Sequence, residues 1–185
     1  MLAWTLARSL TTVAALWLVA SPATATAEPD ADADSPRITT RVTAKGEVIA
    51  EMKVAATATA VRAQLAGAER AHGLAPTTVS AKATTDGKCE KVQLQTRGLL
   101  SPFVLETRRC PTITGWKETL TASDNFVEYW NEWTVKELPG GGALVTFKTR
   151  TLPNVAVPES IILAQTRRVL SKLMRNLLGA LGESP

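Results

Sequence analysis

The sequence predicts an α+β domain: a curved antiparallel sheet of about seven strands wrapped around one long C-terminal helix. Three observations carry this. Apolar and polar residues alternate with a two-residue period at 41–54, and the alternation returns in short segments from Thr77 to Thr151, each closed by turn residues. Between the first strand and the others lies an Ala-, Arg- and Gln-rich stretch with helical spacing. Behind the last strand, the amphipathic stretch Ser160 to Leu181 is long enough to cover the concave side of such a sheet.

The first strand shows the pattern most plainly. Val42, Ala44, Val48, Ala50, Met52 and Val54 share one parity, which predicts a single half-buried strand. Val61, Leu65 and Ala68 then recur at helical spacing in Thr57 to Gly73, so one or two short helices are expected, ended by Gly73 and Pro76. Thr77 to Thr84 is a strand, and Asp86-Gly87 turns it into Cys89 to Thr96. Further strands follow at Phe103 to Cys110, Gly115 to Ala122, Phe126 to Glu137 and Ala143 to Thr151. Short separators such as Gly98 to Pro102 and Pro139 to Gly142 make this an antiparallel meander. The final helix has Pro158 before it and Gly182 behind it. Ile162, Val169, Leu170, Leu173, Leu177 and Leu181 form its apolar stripe, with Arg167, Arg168, Lys172 and Arg175 largely off it.

The N-terminus is of another kind. Arg8 is the only charge before Glu28, an apolar run from Leu10 to Ala20 follows it, and Ala25-Thr26-Ala27 has the small residues that signal peptidase accepts. That run is shorter than the roughly 20 residues a hydrocarbon core takes. Residues 1–27 therefore read as a signal peptide cleaved near Ala27, with a retained anchor as the alternative, and the mature chain is expected in the periplasm or outside the cell. Residues 28–37 are acidic, Pro-containing and without large apolar groups, which predicts a disordered linker. Residues 38–185 remain as one domain, since about 145 residues suffice for one core and not for two. The formal net charge of +4 is small and spread along the chain, unlike the clustered basic stripe that binds nucleic acid.

This order of elements resembles the START-like (SRPBCC) superfamily, and within it the polyketide cyclase and coenzyme Q-binding branch. The resemblance is carried by Gly115-Trp116 opening a strand, Tyr129-Trp130-Asn131-Glu132-Trp133 in the long strand, and Gly140 to Gly142 at the next turn. Leu152-Pro153 and Val157-Pro158 before the last helix add to it, and the whole spans nearly all of 38–182. It implies a helix-grip fold with an apolar cavity between sheet and helix, holding a hydrophobic small molecule or lipid.

If Gly98 to Pro102 is a turn, the flanking strands pair Glu90 with Arg109 and bring Cys89 opposite Cys110. In an oxidising compartment this predicts a disulfide staple worth roughly 3 kcal/mol, with two separate buried thiols as the alternative. The same register puts Val92, Leu94 and Thr96 on one face with Phe103, Leu105 and Thr107. In the last hairpin Trp133 pairs near Phe147 and Val135 near Val145, so Val127, Tyr129, Ala143 and their same-parity neighbours face inward, joined by Trp116, Leu120 and Ala122.

The expected cavity lining is Trp116, Glu118, Leu120, Tyr129, Asn131, Trp133, Val145, Phe147, Ile162 and Leu173. Small inward residues, Ala44, Gly46, Ala50, Ala81 and Ala83, argue for open space beneath residues 162–177; a solid core is the competing reading. Glu118 and Asn131 are expected to face a ligand, whereas Glu90 and Arg109 are expected to form a salt bridge at the rim. The apolar loops 98–100 and 154–157 are candidate lids. Catalysis has little support: His72, the sole histidine, is expected to be solvated beside Gly73, no nucleophile elbow occurs, and Gly140 to Gly142 is a turn without a following helix. No catalytic residue is assigned. Two cysteines and one distant histidine are too few for a metal site, and no cofactor is implied. The rival readings are a cyclase or hydrolase with Glu118 or Tyr129 as acid/base, and a structural module whose loops touch a membrane or a partner protein.

Overall fold

The computed structural model describes residues 37–97 and 102–184. The expected signal peptide and linker, up to residue 36, and the expected lid at 98–100 lie outside the described residues. The elements run β1 (Ile38–Val42), β2 (Val48–Val54), α1 (Ala58–Leu65), α2 (Ala68–Gly73), β3 (Thr78–Asp86), β4 (Cys89–Arg97), β5 (Pro102–Pro111), β6 (Gly115–Ala122), β7 (Phe126–Glu137), β8 (Ala143–Pro153) and α3 (Glu159–Ala180). All eight strands belong to one antiparallel sheet in the order β1-β2-β8-β7-β6-β5-β4-β3. The meander from β3 to β8 is therefore closed by the N-terminal hairpin.

That hairpin corrects the single strand expected over 41–54. Gly46 adopts φ +73°, and the Thr43 hydroxyl accepts from the backbone N–H groups of Lys45 and Glu47, so the chain reverses between β1 and β2. The apolar alternation survives the reversal because Val42 and Val48 are cross-strand partners of equal parity. Ala44 is consequently exposed and Gly46 sits in the turn. Neither is part of the inner wall.

A second correction concerns β7. A register shift between Phe126 and Glu128 turns Val127 outward, 63% exposed, and brings Phe126 to within 4.8 Å of the Phe103 ring. Ala122, pushed along by a shift between Glu106 and Thr107, is exposed as well. Elsewhere the expected registers hold: Glu90 faces Arg109, Trp133 faces Phe147, and Val135 faces Val145. Cys89 and Cys110 are joined as a disulfide across the open end of the β4–β5 hairpin. Alkylation without reductant should label neither thiol of the folded protein, and C89S/C110S should lower its stability by about 3 kcal/mol; labelling of both would refute the bridge.

The helices close one end of the curved sheet. Thr57 caps α1 by accepting from the Ala60 N–H at 3.2 Å, Val61 and Leu65 are buried beneath it, and Arg62 donates to the Val135 carbonyl of β7 at 2.9 Å. In α3 the two halves differ. Leu170, Leu173, Met174, Leu177 and Leu178 are fully packed in the core with Trp133 and Phe147, whose rings lie 4.5 Å apart. The preceding Ile162, Leu163, Thr166 and Val169 are only half-buried, and Ile161 is 49% exposed.

The end of α3 is locked. Gly182 at φ +75° lets Glu183 N–H bond the Leu178 carbonyl and its own N–H bond that of Gly179. The Glu183 carboxylate then accepts from the backbone N–H groups of Ala55 and Ala56, behind β2. The space expected beneath residues 162–177 is thus filled under the C-terminal half by large side chains, while the inward residues of the N-terminal half are only half-buried. Among the described residues, no helix is long and apolar enough to cross a membrane.

Candidate functional site

A row of polar side chains crosses the concave face of the sheet from β4 to β8. Cross-strand pairing alone aligns it: Glu90 is opposite Arg109, Arg109 opposite Glu118, Glu118 opposite Asn131, and Asn131 opposite Thr149. Arg109, Glu118, Asn131 and Thr149 are all buried. Inside a fold such groups cost several kcal/mol unless each is paired, and the row is organised around that requirement.

At its centre Glu118 is met by three groups. His72 Nε2 lies 3.1 and 3.0 Å from its two oxygens, Asn131 Nδ2 donates to Oε2 at 3.3 Å, and the Thr107 hydroxyl makes a short bond to Oε1. Burial pushes the Glu118 carboxyl up, but the His72 charge, followed by the hydrogen bonds from His72, Thr107 and Asn131, outweighs it and holds the group below the ordinary carboxylate range. Asn131 Nδ2 also reaches the Tyr129 hydroxyl at 3.0 Å. Burial first, and then the Glu118 charge, raise the Tyr129 phenol far above its ordinary value, so it remains a neutral O–H group.

A depressed folded pKa stabilises the protein fully above the unfolded carboxylate value of about 4.3, and that contribution is lost as pH falls through the lower folded value. E118Q is therefore expected to be less stable than wild type at neutral pH and to show a shallower loss of stability as pH falls below about 4.3. Urea unfolding at a series of pH values measures this; parallel curves would contradict it.

The expected Glu90–Arg109 salt bridge forms, but only its glutamate lies at the rim. Arg109 Nη1 meets Glu90 Oε2 at 2.9 Å, but the arginine side chain is 1% exposed and the glutamate 31%. The register puts both on the inner face, and α1 and α2 cover the arginine. Its guanidinium also bonds the Leu65 and Ala66 carbonyls at the end of α1 and lies 4.8 Å over the Trp116 ring. Burial lowers the Arg109 pKa, opposed by Glu90 and Glu118.

His72 is the residue that sequence reasoning missed. Its side chain is 11% exposed rather than solvated, because it lies one turn beyond Ala68 on the buried side of α2 and points at Glu118. The signal was the small, buried face of Ala68 and Ala71, with His72 at the i+4 position.

Two depressions open on the surface, the first of them bordered by Tyr129. The β6–β7 ladder ends at Thr119 opposite Trp130. Beyond it the strands part around an open depression of about 540 Å3, whose lining includes Leu120, Ser123, Val127 and Tyr129. A cleft of about 290 Å3 lies between the Gly46 turn, the end of β8 and the start of α3, bordered by Val155, Val157, Ile162 and Leu163. Of the expected lining, the structure places Glu118 and Asn131 in the polar row, Leu120 and Tyr129 at the first opening, and Ile162 at the second. Trp116 packs between Arg109 and the core, while Trp133, Val145, Phe147 and Leu173 belong to the core itself. No three His, Cys, Asp or Glu side chains gather as a metal site among the described residues.

No protein-family model and no curated protein matches the chain on sequence. Solved structures do match in fold. A START superfamily protein from Mycobacterium smegmatis superposes with a TM-score of 0.64 at 16% identity, over 74% of this chain and 97% of its own. The Zhui aromatase/cyclase from a Streptomyces species gives 0.61 at 15%, over 77% and 93%. A STAR-related lipid transfer protein from Xanthomonas axonopodis gives 0.57 at 12%, over 79% and 99% of the fragment solved. Identities this low establish the fold and leave the chemistry to the residues.

Proposed function

We propose that this chain, which has the START-like (SRPBCC) helix-grip fold, is an exported domain that binds a hydrophobic small molecule or lipid between its sheet and its C-terminal helix. The observation that carries the reading is the buried Glu118–His72–Asn131–Tyr129 cluster, part of the polar row on the concave face, beside an opening that Tyr129 borders. Ligand sites gather a few convergent polar groups, some of perturbed pKa, and the cluster supplies such groups beside an opening of mixed polar and apolar lining. The fold neighbours include a lipid transfer protein and an aromatase/cyclase, which supports the same reading. Export rests on the apolar N-terminal run, and a disulfide suits an oxidising compartment. Leu152, Val155 and Ile161, exposed around the cleft, are the surface a membrane would meet during transient contact.

Titration of the mature chain with Nile red tests the binding. Saturable fluorescence enhancement is expected, weakened at least severalfold by Leu120→Trp, which fills the opening; no saturable signal from wild type would contradict it. The pairing of His72 with Glu118 also favours a cyclase or hydrolase reading in which Glu118 or Tyr129 moves a proton. Activity lost in E118Q with ligand affinity intact would support that second reading.

A further inference from the structure

Resting on the ligand-binding reading, the hydrogen-bond arithmetic of the polar row narrows the chemistry of the ligand. The Glu118 carboxylate can only accept, so the group that Asn131 turns toward it must be the amide NH2. That same NH2 faces the Tyr129 oxygen, and its two hydrogens are then committed, one to Glu118 and one to Tyr129. An NH2 group cannot accept, so the Tyr129 oxygen must be the acceptor in that contact. The phenolic proton is left over, and it has no acceptor among the described residues. Tyr129 also borders the opening between β6 and β7, where a bound molecule can reach it.

Charge at this position is set by neighbours already engaged. Glu118 lies one residue behind, beyond Asn131, and His72 is turned onto Glu118. Arg109 is held by Glu90 and by the Leu65 and Ala66 carbonyls. Among the described residues that line the opening beside Tyr129 there is no cation to meet an anionic ligand group, and Glu128 adds a negative charge. Close by, Phe126 lies 6.1 Å from the Tyr129 ring and 4.8 Å from Phe103, giving an aromatic wall.

We infer that the ligand is uncharged, carries an oxygen acceptor of the carbonyl type bonded by the Tyr129 O–H, and places a flat apolar body along Phe103 and Phe126. The chain Glu118–Asn131–Tyr129 works as a fixed relay of hydrogen-bond direction: the carboxylate orients the amide, the amide orients the phenol, and the phenol offers its proton outward. A fatty acid or a phosphate monoester is disfavoured at the same point.

Three probes of one shape separate the possibilities: 2-acetylnaphthalene, 2-ethylnaphthalene and 2-naphthoate, titrated against wild type and Y129F. The ketone should bind wild type about tenfold more tightly than the hydrocarbon, which corresponds to one net hydrogen bond, and the naphthoate should bind most weakly. Y129F should bring the ketone down to the hydrocarbon's affinity and leave the hydrocarbon unchanged, which also shows that the variant is folded. Should Y129F not fold, the order of the three probes on wild type decides alone. Equal binding of ketone and hydrocarbon, or preference for the naphthoate, would overturn the acceptor inference while sparing the ligand reading. Failure of all three to bind would overturn both.

Discussion

Replacing Arg109 by Leu is expected to destabilise the fold by about 3–5 kcal/mol, the range for removing one partner of a buried charged network. The guanidinium holds four groups together: the Glu90 carboxylate, the carbonyls of Leu65 and Ala66, and the face of Trp116. Leucine fills part of the volume but leaves two helix-end carbonyls without their donor. Glu90, 31% exposed, can rehydrate and so limits the loss. Arg109→Lys should recover only part of it, because one ammonium cannot reproduce the planar fork that reaches both carbonyls and Glu90. The effect extends to the site, since the bonded carbonyls fix the junction between α1 and α2, and α2 presents His72 to Glu118. Chemical unfolding gives the magnitude; a change below about 1 kcal/mol, the value of an exposed pair, would contradict it.

Gly115→Ala is expected to be comparably severe for a different reason. A Cβ at this position would lie 2.0 Å from the Trp133 carbonyl oxygen and 2.9 Å from its carbonyl carbon, both backbone atoms that cannot turn aside. The β6–β7 ladder begins here, with Gly115 opposite Thr134. Relief requires the strands to part, and every pair down to Glu118–Asn131 is disturbed. Overpacking typically costs 1–3 kcal/mol, and a clash with backbone belongs at about 3 kcal/mol. Thermal unfolding of G115A reads this out. At Gly67, where an added Cβ meets nothing within 4 Å, the same substitution should change little.

Much of the fold was legible because strands with short turns allow few registers. Cys89 opposite Cys110 followed from placing one turn between 98 and 102, and Trp133 opposite Phe147 from the Gly140 to Gly142 turn. The N-terminal hairpin was not legible, since a two-residue period passes through a reversal unchanged when Val42 and Val48 keep equal parity. Val127 misled for the opposite reason: one bulge exchanges the faces of β7, and nothing in Phe126 to Glu128 announces it. In the site, Glu118 and Asn131 could be found by parity alone. His72 could not, because its partner is 46 residues away and the contact exists only once α2 lies across the sheet. The extent of the filled core was also hidden. Small residues predicted open space along α3, but Trp133 and Phe147 are large enough to fill its C-terminal half.

What remains is whether a molecule is held at the opening that Tyr129 borders, beside the Glu118–Asn131 pair. Mass spectrometry of the purified protein, sprayed under native conditions, measures this directly. Folded ions should carry an uncharged organic adduct that disappears when the protein is denatured. Folded ions with the bare mass of the chain in every preparation would mean that nothing is held there.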